Sequence, residues 1–257
     1  MLKEIIISIQ AYFEAHQFIV KNKLWKWILV PGLIYSILFF AGICLFLVSY
    51  SSAIEFILAK IGVKGWLESQ HNSWLSFFFI VGQIMLWLVL LLFYFSLFKF
   101  LFLILGSPVF AYLSEKTESI IEGKEFPFSF KQLASDIIRA IKIALRNMLW
   151  QSVYLVTILI LSFIPIIGWP APVVALLVEC YYLGFSMLDY SSERNKMTAQ
   201  QSIDFIGRHK GLAIGNGIVF YLMHIFIVIG WLLAPGYAVI AATLSLHHAQ
   251  KKHVIIR

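Results

Sequence analysis

The sequence predicts an all-α integral membrane protein built from two long transmembrane helices, two Pro/Gly-broken helical hairpins that penetrate the bilayer part-way, and amphipathic surface helices. Three observations carry that fold class. Of 257 residues, 61% are hydrophobic and 13% charged, whereas soluble domains carry roughly 25% charged residues. Two apolar runs exceed the ~20 residues that cross the hydrocarbon core. Two later apolar regions are each divided by proline and glycine. No polar stretch is long enough for a separate soluble domain, so residues 1–257 form a single membrane domain.

Residues 1–26 lack the unbroken apolar core and the cleavage site of a secretory signal. Instead Ile5, Ile9, Tyr12, Phe13, His16, Ile19 and Val20 recur at helical spacing, with Lys3, Glu4, Gln10 and Glu14 between them. That pattern predicts an amphipathic helix lying in the membrane interface.

Residues 27–54 hold no Asp, Glu, Lys or Arg, and neither do residues 72–98. Each predicts a spanning helix, the second continuing past Lys99 to residue 105. Gly106, Ser107 and Pro108 then form a breaker expected to turn or kink the chain near one surface. In the region 110–148, Lys131, Ser135, Arg139, Lys142 and Arg146 follow one helical stripe opposite Leu133, Ile137, Ile141, Ala144 and Leu145, which predicts a basic amphipathic helix.

The hairpins occupy 147–189 and 211–250. The first is cut at Pro165, Gly168, Pro170 and Pro172, the second at Gly230 and Pro235. Ile167-Gly168-Trp169 with Ala171-Pro172 recurs as Ile229-Gly230-Trp231 with Ala234-Pro235, a repeat with a period near 62 residues. Arms of 18 residues or fewer reach only ~27 Å at ~1.5 Å per residue, so part-way penetration is expected. Segment 51–73 carries two Lys or Arg, against eighteen in the segments on the other side of the two long helices. The basic side is therefore expected to be cytoplasmic.

Interrupted apolar segments in corresponding positions expose helix ends around a protein-lined cavity, which favours a permeation pathway. A pI near 9.3, with the basic residues at membrane boundaries, points to an anion or a lipid surface as partner and not to nucleic acid. Lys23, Lys26, Arg139 and Lys142 are the candidate anion-binding residues. Gly106, Ser107, Pro108, Ser114, Glu115, Glu118 and Glu179 are the candidate pathway lining. Glu179 is expensive in hydrocarbon and requires a polar cavity or a basic partner, whereas Lys99 is expected to snorkel. His224 reads as hydrogen-bonded to a neighbouring helix, and Gly211-x-x-x-Gly215 as a packing face. Cys44 and Cys180 read as small buried side chains. His247, His248 and His253 lack the ligands that would complete a metal set, and no cofactor or enzyme signature is present. The alternative function is a non-transporting organising protein that holds anionic lipid or a protein partner on its basic stripe.

The stretch Ser107-Pro108-Val109-Phe110-Ala111-Tyr112-Leu113-Ser114-Glu115-Lys116-Thr117-Glu118 resembles the corresponding segment of CysZ-type sulfate permeases, a superfamily that includes the etoposide-induced membrane proteins. The resemblance continues through Asp136, Arg139 and Lys142, then Phe163-Ile164-Pro165 with Ile167-Gly168, Asp189-Tyr190, Lys196, Lys210 and Ala234-Pro235. It covers about Tyr12 to His248. It implies two spanning helices, two partly penetrating hairpins and a homo-oligomer in the bacterial cytoplasmic membrane that lets an anion such as sulfate enter; with no ATP-binding motif in the sequence, that entry is expected to be passive or ion-coupled. One position departs from the pattern: two adjacent arginines before the first span are replaced here by Trp25-Lys26, with Lys23 close by. Lysine offers an oxyanion a point charge in place of a bidentate fork.

Overall fold

The computed structural model describes residues 1–61, 73–123, 130–162, 164, 166, 168–195, 197–226 and 228–251. Pro165, Ile167, Lys196 and His253 lie outside them. Among the described residues there are eight helices: α1 Leu2–Asn22, α2 Trp25–Ile61, α3 Ser73–Glu122, α4 Phe130–Ser162, α5 Ala171–Arg194, α6 Ala199–Arg208, α7 Lys210–Met223 and α8 Ile229–Lys251. By length and composition α2, α3, α4, α5 and α8 can each cross a bilayer, while α7, with 14 residues, is shorter.

The outer surface is largely apolar, and the mainly apolar interior encloses stripes of polar side chains. On α4 the stripe Asp136, Ala140, Asn147 and Gln151 is buried, while Ile138, Leu149, Val153 and Ile160 are exposed. A hydrocarbon solvent favours this arrangement, because polar side chains find partners only within the protein. The predicted apolar face is redrawn accordingly, since Leu145 is exposed while Ala144 is buried. Helix α8 sits at the centre, with 78% of its apolar window buried against 28% for α2.

Small residues allow that centre to close. Gly32 of α2 lies against the Leu232 carbonyl of α8, and Gly236 of α8 lies against the Ile28 side chain of α2. Two Pro-Gly pairs, Pro31-Gly32 and Pro235-Gly236, therefore face each other across one crossing. Pro235 sits inside α8, so the second hairpin is not cut where the proline predicts. The turn comes earlier, with 224–226 and 228 outside the helices.

Helix α1 docks on α7 and α8 by its narrow face. Ser8 Oγ donates to the Leu212 carbonyl at 2.8 Å and Tyr12 OH to the Asn216 carbonyl at 2.9 Å. Glu4 caps α7, accepting from Gly211 N at 3.1 Å, and meets His209 Nδ1 at 2.9 Å. Gly215 packs on Ile5 and Ser8, so Gly211-x-x-x-Gly215 is a helix-packing face. Leu2, Ile6, Phe13 and Val20 remain exposed on the outer side. The predicted interfacial helix thus has two apolar faces, one of them taken by protein.

At Gly106-Ser107-Pro108 the predicted break does not end the helix. α3 runs through it for 50 residues. Pro108 lacks the N–H that would reach the Ile104 carbonyl, and Ser107 Oγ donates to that carbonyl at 2.9 Å. The orphan acceptor is satisfied and the helix continues. Residues 110–122 consequently belong to α3, and the basic stripe and the first hairpin arm are one helix of 33 residues, α4.

The sequence repeat is a structural one. Ile166 and Val228, 62 positions apart, both adopt left-handed backbone, with φ 71° and 68°. Ile164 N donates to Leu161 O and Phe226 N to Met223 O, both at 3.1 Å. Gly168 N donates to Ile164 O at 2.8 Å and Gly230 N to Phe226 O at 2.7 Å. A Cβ on either glycine would overlap the carbonyl of the last helical residue of the preceding arm, Ser162 or Met223. Pro170 and Pro172 fall at the start of α5, where Val174 N donates to Pro170 O at 3.0 Å and a missing N–H costs little. The second turn meets α2 at Tyr35, which bonds His224 at 2.7 Å. That is ten residues from the start of a 37-residue helix, or ~15 Å along it.

The α2–α8 crossing yields a differential prediction. Gly32→Ala forces Cβ onto a backbone carbonyl that cannot rotate away, whereas at Gly236 the neighbour is a movable side chain. Gly32→Ala is expected to cost about 1–3 kcal/mol and to lower the melting midpoint in detergent by ~2–12 °C. Gly236→Ala should cost less, and equal shifts would contradict this packing.

Candidate functional site: a polar seam between the helices

Four helices bring polar side chains to one place in the apolar interior. Ser96 and Lys99 share a face of α3 at a spacing of three, and Asn147 and Gln151 share a face of α4 at a spacing of four. Helix α5 contributes Glu179, and α7 contributes Tyr221. Lys99 and Glu179 have side-chain exposures of 5% and 2%, with Nζ and Oε2 2.7 Å apart.

Every strong hydrogen-bonding group of that pair is used. Lys99 Nζ also donates to Gln151 Oε1 at 2.8 Å and stands 4.8 Å from the Phe100 ring centroid. Glu179 Oε2 accepts from Tyr221 OH at 2.9 Å, and Oε1 accepts from Gln151 Nε2. The same Nε2 donates to Ser96 Oγ at 2.7 Å. Gln151 therefore bridges cation, anion and hydroxyl at once. Removing one charge from such a pair leaves the other buried without compensation, the costly case for an intramembrane ion. In this conformation the seam is closed by direct side-chain contacts.

Two further polar clusters are buried. Ser114, Ser191 and Thr243 join α3, α5 and α8 through hydroxyl contacts of 3.3, 3.3 and 2.7 Å. Arg139 Nη2 donates to Asp189 Oδ1 at 3.0 Å and Nη1 to the Met197 carbonyl, while Ser202 of α6 donates to the same Asp189 oxygen. Helix α6 is held there by a capping box in which Thr198 and Gln201 exchange bonds.

The sequence-derived candidates are distributed as follows. Glu179 has the basic partner its burial demands, and that partner is Lys99, which does not snorkel. His224 is bonded to Tyr35 of α2. Lys23, in left-handed backbone at the end of α1, Lys26 and Lys142 are exposed. Arg139 is engaged by Asp189. Gly106, Ser107, Ser114 and Glu118 are buried, while Pro108 and Glu115 are half-buried. Cys180 is buried but Cys44 is exposed, both as free thiols. His248 stands 3.4 Å from Glu14, and no group of metal ligands occurs among the described residues.

Gln151, Ser96, Asn147 and Tyr221 were not legible as site residues from charge-free runs, because neutral polar side chains do not interrupt such a run. Their signal was helical register: Ser96 with Lys99, and Asn147 with Gln151, mark polar stripes on otherwise apolar helices. The seam yields a testable energy. Lys99→Met or Glu179→Leu alone should destabilise the protein by about 3–5 kcal/mol, and the double variant should fall well short of the sum. Additive losses in detergent unfolding would show that the pair is not coupled.

Comparison with known proteins places this geometry in context. The family described as Sulfate transporter CysZ/Etoposide-induced protein 2.4 matches residues 11–235. A sulfate transporter CysZ of Pseudomonas aeruginosa is 26% identical over 225 residues, covering 85% of this chain and 89% of the relative. One from Pseudomonas syringae pv. tomato is 29% identical over 174 residues, covering 66% and 68%.

Proposed function

The chain belongs to the Sulfate transporter CysZ/Etoposide-induced protein 2.4 family, and from that premise we propose that it carries sulfate across the bacterial cytoplasmic membrane by passive or ion-coupled permeation. The observation that carries the reading is the buried Lys99–Glu179 pair, 2.7 Å apart inside membrane-spanning helices, a costly arrangement that intramembrane function accounts for. The relatives' name, sulfate transporter, supports the choice of substrate, and the polar seam is the route proposed for it.

Lys23, Lys26 and Lys142, all exposed, raise the local concentration of the dianion at the basic boundary. Gly106, Ser107, Pro108, Ser114, Glu115 and Glu118 line the approach along α3. At the seam Glu179 acts as an internal stand-in for the substrate. Its carboxylate holds Lys99 while the site is empty, and an arriving oxyanion competes for the same ammonium. The exchange keeps a negative partner on Lys99 throughout, so no bare ammonium is left in a low-dielectric interior. Rearrangement of Gln151 and Tyr221 accompanies it, since both donate to Glu179.

The turn of the second hairpin, beside Tyr35 and carrying exposed Ile225, Phe226 and Val228, supports part-way penetration of that hairpin. The basic loops face the cytoplasm, and the protein works as a homo-oligomer. The alternative, a basic stripe that holds lipid or a protein partner, loses Arg139, whose guanidinium is already paired with Asp189.

Uptake of radiolabelled sulfate by proteoliposomes tests the proposal. The wild-type protein should exceed protein-free vesicles. Lys26→Ala should reduce uptake at low sulfate, and added salt should shrink the difference, as loss of a steering charge requires. Uptake equal to empty vesicles, or unchanged by Lys26→Ala, overturns the sulfate reading.

A further inference from the structure

We propose that a cavity of about 450 Å³ between α4, α5, α6 and α7 is a binding site for a doubly charged tetrahedral oxyanion. It lies apart from the candidates that the sequence singles out for anion binding. The identity of the ligand as sulfate rests on the function proposed above, whereas the site itself rests on the residues that line it.

Three cations border the cavity: Arg146 of α4, Arg208 at the end of α6 and Lys210 at the start of α7. Among the described residues none of the three has a carboxylate within ion-pair distance. Arg146 is instead held by neutral groups. Nη1 donates to Asn147 Oδ1 at 3.1 Å, and the guanidinium stands 5.9 Å from the Phe185 ring centroid. The carboxylate in the lining is Asp204, which accepts from Gln200 Nε2 at 3.1 Å. Three positive charges and one negative leave a balance of two, which a dianion cancels. A phosphodiester headgroup carries a single charge and would leave one positive charge over.

The chemistry of the wall fits the same ligand. Two guanidinium groups can each grip two oxygens of a tetrahedral anion, a fork geometry that an ammonium lacks. The Tyr181 and Phe185 rings form part of the wall, alongside the exposed Arg208 and Lys210. Next to Arg146 in the chain, though not part of the cavity lining, one more polar group has unused capacity. Asn147 is fully buried, and its Nδ2 has no hydrogen-bond acceptor among the described residues. Buried amide donors are rarely left unpaired. Asn147 lies one helical turn from Gln151 on the same face of α4. The cavity, Asn147 and the seam therefore lie in sequence along one helix.

The test is equilibrium binding of radiolabelled sulfate to the purified full-length protein in a non-ionic detergent free of anionic lipid. Arg208→Ala/Lys210→Ala, which alters exposed side chains, should weaken binding by at least about tenfold. Arg146→Lys, which keeps the charge and loses the fork, should also weaken it. Asp204→Asn should tighten it, and Lys116→Ala, removing an exposed cation outside the cavity, should leave it unchanged. Sulfate binding insensitive to both cavity variants overturns the proposal. So does retention of phosphatidylglycerol from mixed micelles that depends on the three cations while sulfate fails to bind, because the source is then a lipid headgroup. Proteoliposome uptake measured in parallel separates the two readings. Cavity-dependent binding without wild-type uptake refutes transport and keeps the site, whereas uptake with cavity-independent binding refutes the site alone.

Discussion

A basic and an acidic side chain buried away from water each need a compensating partner, and the Lys99–Glu179 pair makes that requirement the organising constraint of the bundle. Neither charge can withdraw to solvent, because both side chains are almost fully enclosed. Helices α3 and α5 are thereby tied at one level, and Gln151 and Tyr221 fix α4 and α7 to the same point. A buried ion pair is poor evidence for net stability, since apolar replacements of similar shape are often as stable. Its value here is specificity of arrangement. The Ser114–Ser191–Thr243 hydroxyls and the Arg139–Asp189 pair hold α3, α4 and α5 in the same register.

The solvent explains the rest of the architecture. In water the apolar face of a helix turns inward, but in hydrocarbon the driving force for that burial vanishes and close packing with internal hydrogen bonds takes its place. Helix α4 buries Asp136, Asn147 and Gln151 and presents Ile138, Leu149 and Val153 outward for this reason. Helix α8, rich in alanine, occupies the centre because small side chains let neighbouring backbones approach, as Gly32 and Gly236 do at its crossing with α2. The hydroxyls of Ser114, Ser191 and Thr243 satisfy one another in the same interior.

Local rules read from the sequence held where tertiary structure had no counter-offer. The hairpin repeat is such a case: a glycine is needed wherever the returning chain passes the last carbonyl of the first arm, so Gly168 and Gly230 keep their spacing. At Gly106-Ser107-Pro108 the same local rule failed. A proline in a helix leaves one carbonyl without a donor, and whether that ends the helix depends on what else can reach it. Ser107 reaches it, which no propensity scale weighs. Similarly, Pro235 marked the second hairpin but not its turn, because the α2–α8 contact holds the helix through it.

Composition and hydropathy by themselves determined that this chain lives in a bilayer, that residues 27–54 and 72–98 are apolar runs long enough to cross it, and that Glu179 needs a partner. Those conclusions follow from the free energy of transfer between water and hydrocarbon, a property of each segment alone. Tertiary structure alone decided that the partner is Lys99, that Arg139 is already taken by Asp189, and that Arg146, Arg208 and Lys210 share one cavity. Such matters depend on which side chains meet across helices dozens of residues apart, and helical periodicity assigns a residue to a face without saying what that face will touch.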